Sequence, residues 1–199
     1  MIDPTKVTEY EQRTNRLEEF ILFWVCAAGK NGRTAARCLD TLLNTIAKPG
    51  KGPMECLCGY DGSLGTLPEL MKFCGIGCYN AKARTFKELA TLTTTGNLDL
   101  RTCTVDELES VYGIGMKTSR CFVMHSRKNA QVAGIDTHLL KHLRAKGVKD
   151  VPKSTPGSKK QYLRLEKEIL RLAKEANMTP ADYDLMVWNE YSVKSTPRS

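Results

Sequence analysis

The chain has 199 residues, of which 41% are hydrophobic and 26% are charged, so it is long enough to bury the core of one folded domain. Its formal net charge of +8 favours a polyanionic partner such as nucleic acid. The longest apolar run, residues 20–28, is about half the length needed to cross a bilayer, and no basic segment followed by an apolar run opens the sequence. These features argue against membrane-spanning and secreted classes, and we expect an intracellular protein with no membrane partner.

Eight cysteines are spread over residues 26–121. In a chain of this size and a reducing compartment, free thiols are favoured over disulfides. The pairs Cys56/Cys58 and Cys74/Cys78 have no histidine nearby, and their spacing fits no common zinc module. We therefore predict no metal site and no cofactor.

Hydrophobic periodicity, N-cap residues and helix-breaking glycines predict an all-α protein with no β-strand. The glycine-rich stretch 48–66 and the Pro/Gly/Ser/Lys stretch 147–157 are predicted as loops. The predicted helices cover residues 8–28, 33–47, 67–74, 81–92, 104–111, 117–126, 136–146, 158–176 and 179–191.

A short turn, Gly113-Ile114-Gly115, lies between two predicted helices. Its glycines allow a sharp turn and a close approach to another surface, and Ile114 is expected to fill the core. The helix that follows presents free N–H groups and the positive end of its dipole, which together bind phosphate. A plain turn between helices could carry the same glycines, but the Lys-Thr-Ser that follows in a basic chain favours phosphate. The predicted DNA-binding residues of this turn are Gly113, Ile114, Gly115, Met116, Thr118 and Ser119.

Two segments of the chain carry a family resemblance. Gly113-Ile-Gly115-Met-Lys117 and Ile135-Asp136-Thr137-His138 together resemble the helix-hairpin-helix DNA glycosylase superfamily, which includes endonuclease III and the 8-oxoguanine glycosylases. Residues 77–83 and 184–188 are also similar to that group, and the resemblance extends over about residues 15–190. Only the hairpin and Asp136 are specific signals.

The resemblance implies a single glycosylase-like domain, residues 1–199, with two helical lobes and double-stranded DNA in the cleft between them. One lobe would cover residues 31–129 and carry the helix-hairpin-helix within 104–126. The other lobe would combine residues 1–30 with 130–199. We expect such a protein to act as a monomer.

By the same resemblance, Lys117 is the amine nucleophile and Asp136 is the essential carboxylate. A lysine at a helix N-terminus and partly buried is expected to have a lowered pKa, which frees its amine. Attack at the sugar C1′ would expel the base and leave a Schiff base that can eliminate the 3′ phosphate. Asp136 would stabilise the positive charge that develops on the sugar, and it is also a good N-cap.

Chemistry at C1′ requires the nucleotide to leave the duplex, so a side chain must fill the gap. We expect Lys30 or Asn31 in that role, although their segment is equally well explained as a simple helix break. His138 and Lys82 are also predicted to contact DNA. Further candidate phosphate contacts are Arg84, Lys87, Lys128, Lys141 and Arg144. The aromatic candidates for stacking on a base, each more easily explained as core, are Phe23, Trp188 and Tyr191.

The sequence also departs from the superfamily pattern. No cysteine follows Cys121, so the iron–sulfur cluster of some members is not expected, and Tyr112 stands where a proline often precedes the hairpin. Two other function classes therefore stay open. The chain could resemble the bacteriophage relatives that attach an amino acid to phosphorylated 5-hydroxymethyluracil in DNA, with Asp136 as the base and Lys117 on the phosphate leaving group. It could also be a DNA-binding module without catalytic activity.

Overall fold

The computed structural model describes residues 1–193, and these form ten α-helices and no β-strand. The all-α fold class predicted from the sequence is therefore confirmed. The helices are α1 (Thr14–Ala27), α2 (Gly32–Ile46), α3 (Pro53–Cys58), α4 (Leu67–Phe73), α5 (Tyr79–Thr94), α6 (Val105–Ser110), α7 (Met116–Ser126), α8 (Thr137–Ala145), α9 (Lys159–Glu175) and α10 (Pro180–Val193).

The first helix is shorter than predicted, because it begins at Thr14 rather than at residue 8. Glu11 has a φ of 57°, and Gln12 Nε2 donates a hydrogen bond to the Glu9 carbonyl at 2.8 Å, so the chain turns sharply just before α1. Residues 1–13, the N-terminal segment, are non-helical and bury Ile2 and Val7 in the core.

The stretch 48–66, predicted as a loop, contains the additional helix α3. Pro53 occupies the first turn, where its missing N–H costs nothing, and Glu55 accepts a hydrogen bond from the Gly52 N–H at 3.0 Å. Glu18 of α1 accepts another from the Met54 N–H at 3.0 Å. The prediction was wrong here because the glycines cap, and the proline begins, a helix of only six residues.

Two clusters of buried side chains form the interior. The first cluster draws on the N-terminal segment and α1–α7, and the second on residues 133–135 and α8–α10. Helix α7 joins them, since Phe122 belongs to the first cluster and Met124 to the second. The division into two lobes stays a prediction, but α1 packs in the first cluster rather than with the C-terminal helices as we expected.

Helix α1 is the central element of the first cluster, because every residue from 20 to 27, its C-terminal half, is apolar. The side chains of Phe20, Ile21, Leu22 and Phe23 are all buried, and each contributes about 1.5–3 kcal/mol relative to an exposed position. Among residues 1–193, no helix is both long enough and apolar enough to span a membrane. The apolar run therefore serves to anchor α2, α3, α5 and α7 around one helix.

Candidate active site

The hairpin turn (residues 112–115) connects α6 to α7 and has the geometry that the glycines predict. Gly113 has a φ of 80°, and a Cβ at this position would lie 2.4 Å from Thr85 Oγ1. Ile114 is buried, whereas a Cβ at Gly115 would meet nothing within 4 Å. No side chain caps the N-terminus of α7 among the described residues, so its first N–H groups remain open to an outside ligand.

Two of the predicted DNA-binding residues after the turn point into the protein instead. Thr118 and Ser119 are buried, and the Ser119 hydroxyl donates a hydrogen bond to Glu109 Oε1 of α6 at 3.0 Å. Their small side chains allow α6 and α7 to pack closely, which is why they do not face outward. The outward surface of the turn consists of backbone around Gly113 and Gly115 and the half-buried Met116.

Lys117 and Asp136 line the same cleft, which has a volume of about 850 Å³. Lys117 lies in the first turn of α7 and is half-buried, and its side chain has no hydrogen-bond or ion-pair partner among residues 1–193. An ammonium group held in a cleft without a protein partner is available to a ligand. The cleft is also lined by residues of the N-terminal segment, α1, α2, α8 and α10.

Asp136 is the N-cap of α8, as its position in the sequence suggested. Its Oδ1 accepts hydrogen bonds from the N–H groups of His138 and Leu139, both at 2.8 Å. The pKa of Asp136 is raised above its ordinary value, first by burial and then by the negative charge of Asp184; the Leu139 N–H and the Lys117 ammonium oppose this shift. The carboxylate is thus a stronger base than one in water.

Asp184 is a cleft residue that the sequence reasoning did not select. Its Oδ2 lies 3.2 Å from His125 Nε2, and His125 Nδ1 lies 2.8 Å from Thr8 Oγ1. The ring of Trp24 stacks on the buried His125 ring at 5.4 Å with an interplanar angle of 12°. The only signal was the spacing of Asp184 and Trp188, which places both side chains on one face of α10.

Aromatic side chains form part of the cleft wall. Trp24 and Trp188 line it and are half-buried, so each presents a ring edge or face to the cavity. Phe23 also borders the cleft but is almost fully buried in the first cluster. Tyr191 packs against the His142 ring at 5.9 Å in the second cluster and takes no part in the lining.

Lys30 and Asn31 both line the cleft but already have partners. Asn31 is the N-cap of α2 and accepts hydrogen bonds from the N–H groups of Arg33 and Thr34 at 3.0 and 3.4 Å. The Lys30 ammonium donates to the Gly75 carbonyl, in the turn between α4 and α5. That turn follows Phe73, whose side chain is 85% exposed. Phe73 was not predicted from the sequence, and it is the most exposed large apolar side chain among the described residues.

Lys82 does not lie where a phosphate could reach it, contrary to our expectation. It is only 8% exposed, and its ammonium donates to the Cys26 and Ala28 carbonyls at 2.9 and 3.1 Å. Burial lowers its pKa. Lys82 therefore satisfies the carbonyls at the C-terminal end of α1, which lacks basic residues in its last turn.

Other predicted phosphate contacts divide into two groups. The Lys87 ammonium and the Arg144 guanidinium donate to backbone carbonyls, of Leu57 at 2.8 Å and of Pro152 at 2.6 Å. The Arg84 guanidinium lies 3.8 Å from the centre of the Tyr112 ring, beside the hairpin turn. Lys128 and Lys141 have exposed side chains, as Arg84 does. His138 lines the cleft, and its buried Nδ1 has no hydrogen-bond partner within residues 1–193.

All eight cysteines are free thiols. Cys121 lines the cleft one helical turn after Lys117, and burial raises the pKa of its thiol to about 12. Gly134 packs directly on it, since a Cβ at position 134 would lie 2.1 Å from Cys121 Sγ. In the part of the chain that the structure covers, no three potential metal ligands are grouped together.

The sequence profile described as 8-oxoguanine DNA glycosylase matches residues 71–178, which is more than half of the chain. The matched region contains the hairpin turn, Lys117 and Asp136. No curated protein sequence matches the chain.

Solved structures with the same fold include three that bear on this site. The 8-oxoguanine glycosylase/lyase of Methanocaldococcus jannaschii, in complex with a 15mer DNA containing 8-oxoguanine, is 18% identical with a TM-score of 0.71, over 94% of this chain and 85% of that one. The 8-oxoguanine DNA glycosylase of Thermotoga maritima is 21% identical with a TM-score of 0.66, over 95% and 85%. A trapped covalent intermediate of endonuclease III with DNA is 17% identical with a TM-score of 0.64, over 94% and 82%. These similarities confirm the fold class predicted from the sequence.

Proposed function

This chain belongs to the 8-oxoguanine DNA glycosylase family of the helix-hairpin-helix superfamily, and we propose that it excises 8-oxoguanine from duplex DNA and then cuts the strand through a lysine Schiff base. The observation that carries this proposal is the pairing of an unpartnered ammonium, Lys117, with the half-buried carboxylate of Asp136 in one cleft among the described residues. Two of the similar structures add support, because one is of an 8-oxoguanine glycosylase/lyase bound to DNA and the other is of a covalent enzyme–DNA intermediate.

DNA binding begins at the hairpin turn. The open N–H groups of α7 bind a backbone phosphate, and Gly115 allows that phosphate to approach because no side chain lies in front of it. The net charge of +8 adds sequence-independent attraction. The target nucleotide then rotates out of the duplex into the cleft, whose volume of about 850 Å³ accommodates a purine with its sugar.

The extruded base binds between the aromatic residues of the cleft. Trp24 and Trp188 offer ring surfaces for stacking, and a carboxylate at Asp184 offers only hydrogen-bond acceptors. His125 Nε2 lies within hydrogen-bonding distance of Asp184 Oδ2, so Oδ1 is left to accept a hydrogen bond from the base. Guanine presents N–H donors on its Watson–Crick edge, and 8-oxoguanine adds one at N7, where guanine has an acceptor. The free carboxylate oxygen of Asp184 therefore suits an oxidised guanine.

Base removal requires a neutral amine at Lys117. Burial and the charge of Asp184 raise the pKa of Asp136, so its carboxylate is a stronger base than an exposed aspartate and takes up the ammonium proton of Lys117. The amine then bonds to C1′ as the glycosidic C–N bond breaks. The base leaves with that electron pair and receives the proton that Asp136 took from Lys117. Once it has passed this proton to the base, Asp136 is ionised again and stabilises the positive charge that develops at C1′.

Strand cleavage follows from the same covalent bond. The secondary ammonium formed at C1′ first loses a proton. Its nitrogen lone pair then forms a C=N bond as the C1′–O4′ bond breaks and O4′ takes up a proton, which leaves a Schiff base between Lys117 and the opened sugar. A base removes a proton from C2′, and the electron pair of that C–H bond expels the 3′ phosphate. Water then hydrolyses the Schiff base and returns Lys117 as a free amine.

The exposed ring of Phe73 is suited to fill the gap that the extruded nucleotide leaves. It lies two residues before Gly75, whose carbonyl accepts from Lys30, so the turn that follows Phe73 contacts a residue of the cleft lining. Stacking on exposed bases stabilises an inserted aromatic ring by about 1–3 kcal/mol per base. We assign the gap-filling role to Phe73 in preference to Lys30 and Asn31, which already have partners.

Borohydride trapping tests the proposal. Duplexes carrying 8-oxoguanine opposite cytosine, an abasic site, oxidised thymine or 5-hydroxymethyluracil would be mixed with wild-type protein and with Lys117→Gln. We expect a covalent adduct on the first two duplexes with the wild type and none with the variant. Asp136→Asn is the matched variant for the carboxylate, since asparagine keeps the α8 N-cap while removing the negative charge.

Other outcomes of this experiment would contradict the proposal in different ways. A parallel reaction would contain free amino acids and a duplex carrying phosphorylated 5-hydroxymethyluracil. No adduct on any duplex, with an intact strand in that reaction that mass spectrometry finds changed by an attached amino acid in place of the phosphate, would point to the base-modifying alternative. Tight binding with no product, unchanged in both variants, would point to a binding module. An adduct on oxidised thymine but not on 8-oxoguanine would keep the mechanism and overturn the substrate.

A further inference from the structure

Helix α9 lies behind the cleft, and none of its residues, Lys159–Glu175, lines it. Two of its side chains nevertheless hold the three residues that precede Asp136. We propose that Tyr162 and Glu166 of α9, together with Arg120 of α7, form a positioning clamp that sets where the Asp136 carboxylate lies relative to Lys117. This inference rests on the proposed function, because it assigns the clamp to the reaction of those two residues.

The clamp forms hydrogen bonds with both N–H and carbonyl groups in the backbone of residues 133–135. Glu166 Oε1 accepts a hydrogen bond from the Ala133 N–H at 2.9 Å. The Tyr162 hydroxyl donates to the Ala133 carbonyl at 3.0 Å and accepts from the Ile135 N–H at 2.8 Å. Thr155 Oγ1 donates to the Ile135 carbonyl at 3.1 Å. The backbone on the N-terminal side of Asp136 is therefore fixed by side chains rather than by a helix or strand.

The clamp also reaches the helix that carries Lys117. Arg120, one turn further along α7, donates through Nε to Glu166 Oε1 at 2.9 Å and through Nη1 to the Met116 carbonyl at 3.3 Å. A second ion pair joins Arg120 to Glu109 of α6. The Arg120 guanidinium lies 4.9 Å from the centre of the Tyr162 ring, and the residue is only 2% exposed. Glu166 Oε1 thus accepts one hydrogen bond from the helix that carries Lys117 and another from the segment that precedes Asp136.

A direct contact leaves little freedom between these two elements. Gly134 lies against Cys121 of α7, where a Cβ would come within 3.1 Å of the Cys121 backbone nitrogen. The contact fixes how closely the segment approaches α7, while the clamp fixes its rotation and its position along the helix. Buried ion pairs add little net stability compared with apolar packing, so stability alone is a weak reason for this arrangement. Catalysis, in contrast, depends steeply on the position of a reacting group.

The test compares chemistry with binding in Tyr162→Phe, which removes one hydroxyl and two hydrogen bonds. With enzyme in excess over a duplex carrying 8-oxoguanine opposite cytosine, we expect the single-turnover rate of base release to fall about 100-fold, as a displacement of about 1 Å would produce. The Kd for a duplex carrying a tetrahydrofuran abasic analogue should stay unchanged, because no DNA contact is altered. Ile169→Val, on the same helix and in the same buried cluster, is the matched control and should lower the Tm without slowing base release.

Glu166→Gln provides a second variant if Tyr162→Phe does not fold. Its amide oxygen can still accept from the Ala133 N–H but no longer balances the Arg120 charge, so we expect a smaller loss of rate with the Kd again unchanged. If the wild type is active and both variants release base at its rate, the clamp is overturned and the proposed function stands. If the wild type releases no base and forms no adduct, the proposed function fails, and the inference falls with it.

Discussion

The chain uses the tripeptide Gly-Ile-Gly twice, and the two turns that it forms differ in what they do. Residues 75–77 connect α4 to α5, and residues 113–115 connect α6 to α7. In both turns the first glycine has a positive φ, 78° and 80°, and the isoleucine is buried in the first cluster. An aromatic residue with an exposed side chain comes shortly before each, Phe73 in one turn and Tyr112 in the other.

The difference begins with the residues that follow each turn. After Gly77 the chain needs one more left-handed residue, Cys78, before α5 starts, and the first lysine of that helix, Lys82, turns inward to the end of α1. After Gly115 the helix starts at once, and Lys117 projects into the cleft with no partner in the described chain. The same local backbone signal therefore supports a structural lysine in one case and a candidate nucleophile in the other.

The comparison is tested most strongly by the two lysines. Lys117→Met should abolish adduct formation while changing the free energy of unfolding by no more than about 0.5 kcal/mol, since its side chain has no described partner to lose. Lys82→Met should still form the adduct but should lower the free energy of unfolding by about 1–3 kcal/mol, because two carbonyls at the end of α1 lose their hydrogen-bond donor. Urea denaturation and borohydride trapping measure the two effects. An adduct with Lys117→Met would contradict the distinction.

Alanine at the first glycine of each turn should separate backbone strain from steric overlap. Gly75→Ala should lower the free energy of unfolding by about 1–2 kcal/mol, because alanine is strained in the left-handed conformation. Steric overlap adds little here, because the new Cβ would lie 3.3 Å from Cys38 Sγ and a small shift can relieve that contact. Gly113→Ala should lower the free energy of unfolding by about 1–3 kcal/mol more than Gly75→Ala does, because its Cβ would overlap Thr85 Oγ1. Combining Gly113→Ala with Thr85→Ala should recover this additional loss, which urea denaturation measures. Equal losses in the two single variants would rule out the overlap.

The second glycines should separate DNA affinity from stability. Gly115→Ala meets open space in the protein, so it should fold normally but bind duplex DNA about tenfold more weakly, because the methyl group keeps a phosphate from the α7 N–H groups. Gly77→Ala is the matched control, with its Cβ in ordinary contact at 3.9 Å from Lys30 Nζ. Fluorescence anisotropy at one fixed salt concentration measures both. Unchanged affinity in Gly115→Ala would remove the turn from the DNA interface.

The smallest expected effect concerns the aromatic residues before the turns. Phe73→Ala should weaken binding to a duplex with an abasic analogue about fivefold, the lower end of base stacking, and leave undamaged DNA unaffected. Tyr112→Ala removes the ring that Arg84 covers and should show no preference for damaged DNA. A 2-aminopurine next to the lesion would report insertion of Phe73 through its fluorescence. The same loss on both duplexes would assign Phe73 to general backbone contact.

Features encoded by a few neighbouring residues were predictable from the sequence. The hairpin glycines, the N-cap at Asp136 and most helix ends depend on local backbone chemistry, and the structure has each of them. The direction of Lys82 was not predictable, because its partners lie 54 and 56 residues away, at the end of α1. Asp184 and the Tyr162–Glu166–Arg120 clamp depend in the same way on which helices pack together. Helix α3 was missed because its glycines and proline look locally like a loop.

The contact between Gly134 and Cys121 has a practical consequence for labelling. Because Cys121 is enclosed and its thiol pKa is raised to about 12, alkylating reagents should leave this cleft residue unmodified. Cys78 is exposed and follows the turn after Phe73, while Cys58, the other exposed thiol, lies at the end of α3. With Cys58 replaced by serine, a maleimide dye at Cys78 would serve as a local fluorescent reporter of DNA engagement and leave the chemistry of the cleft untouched.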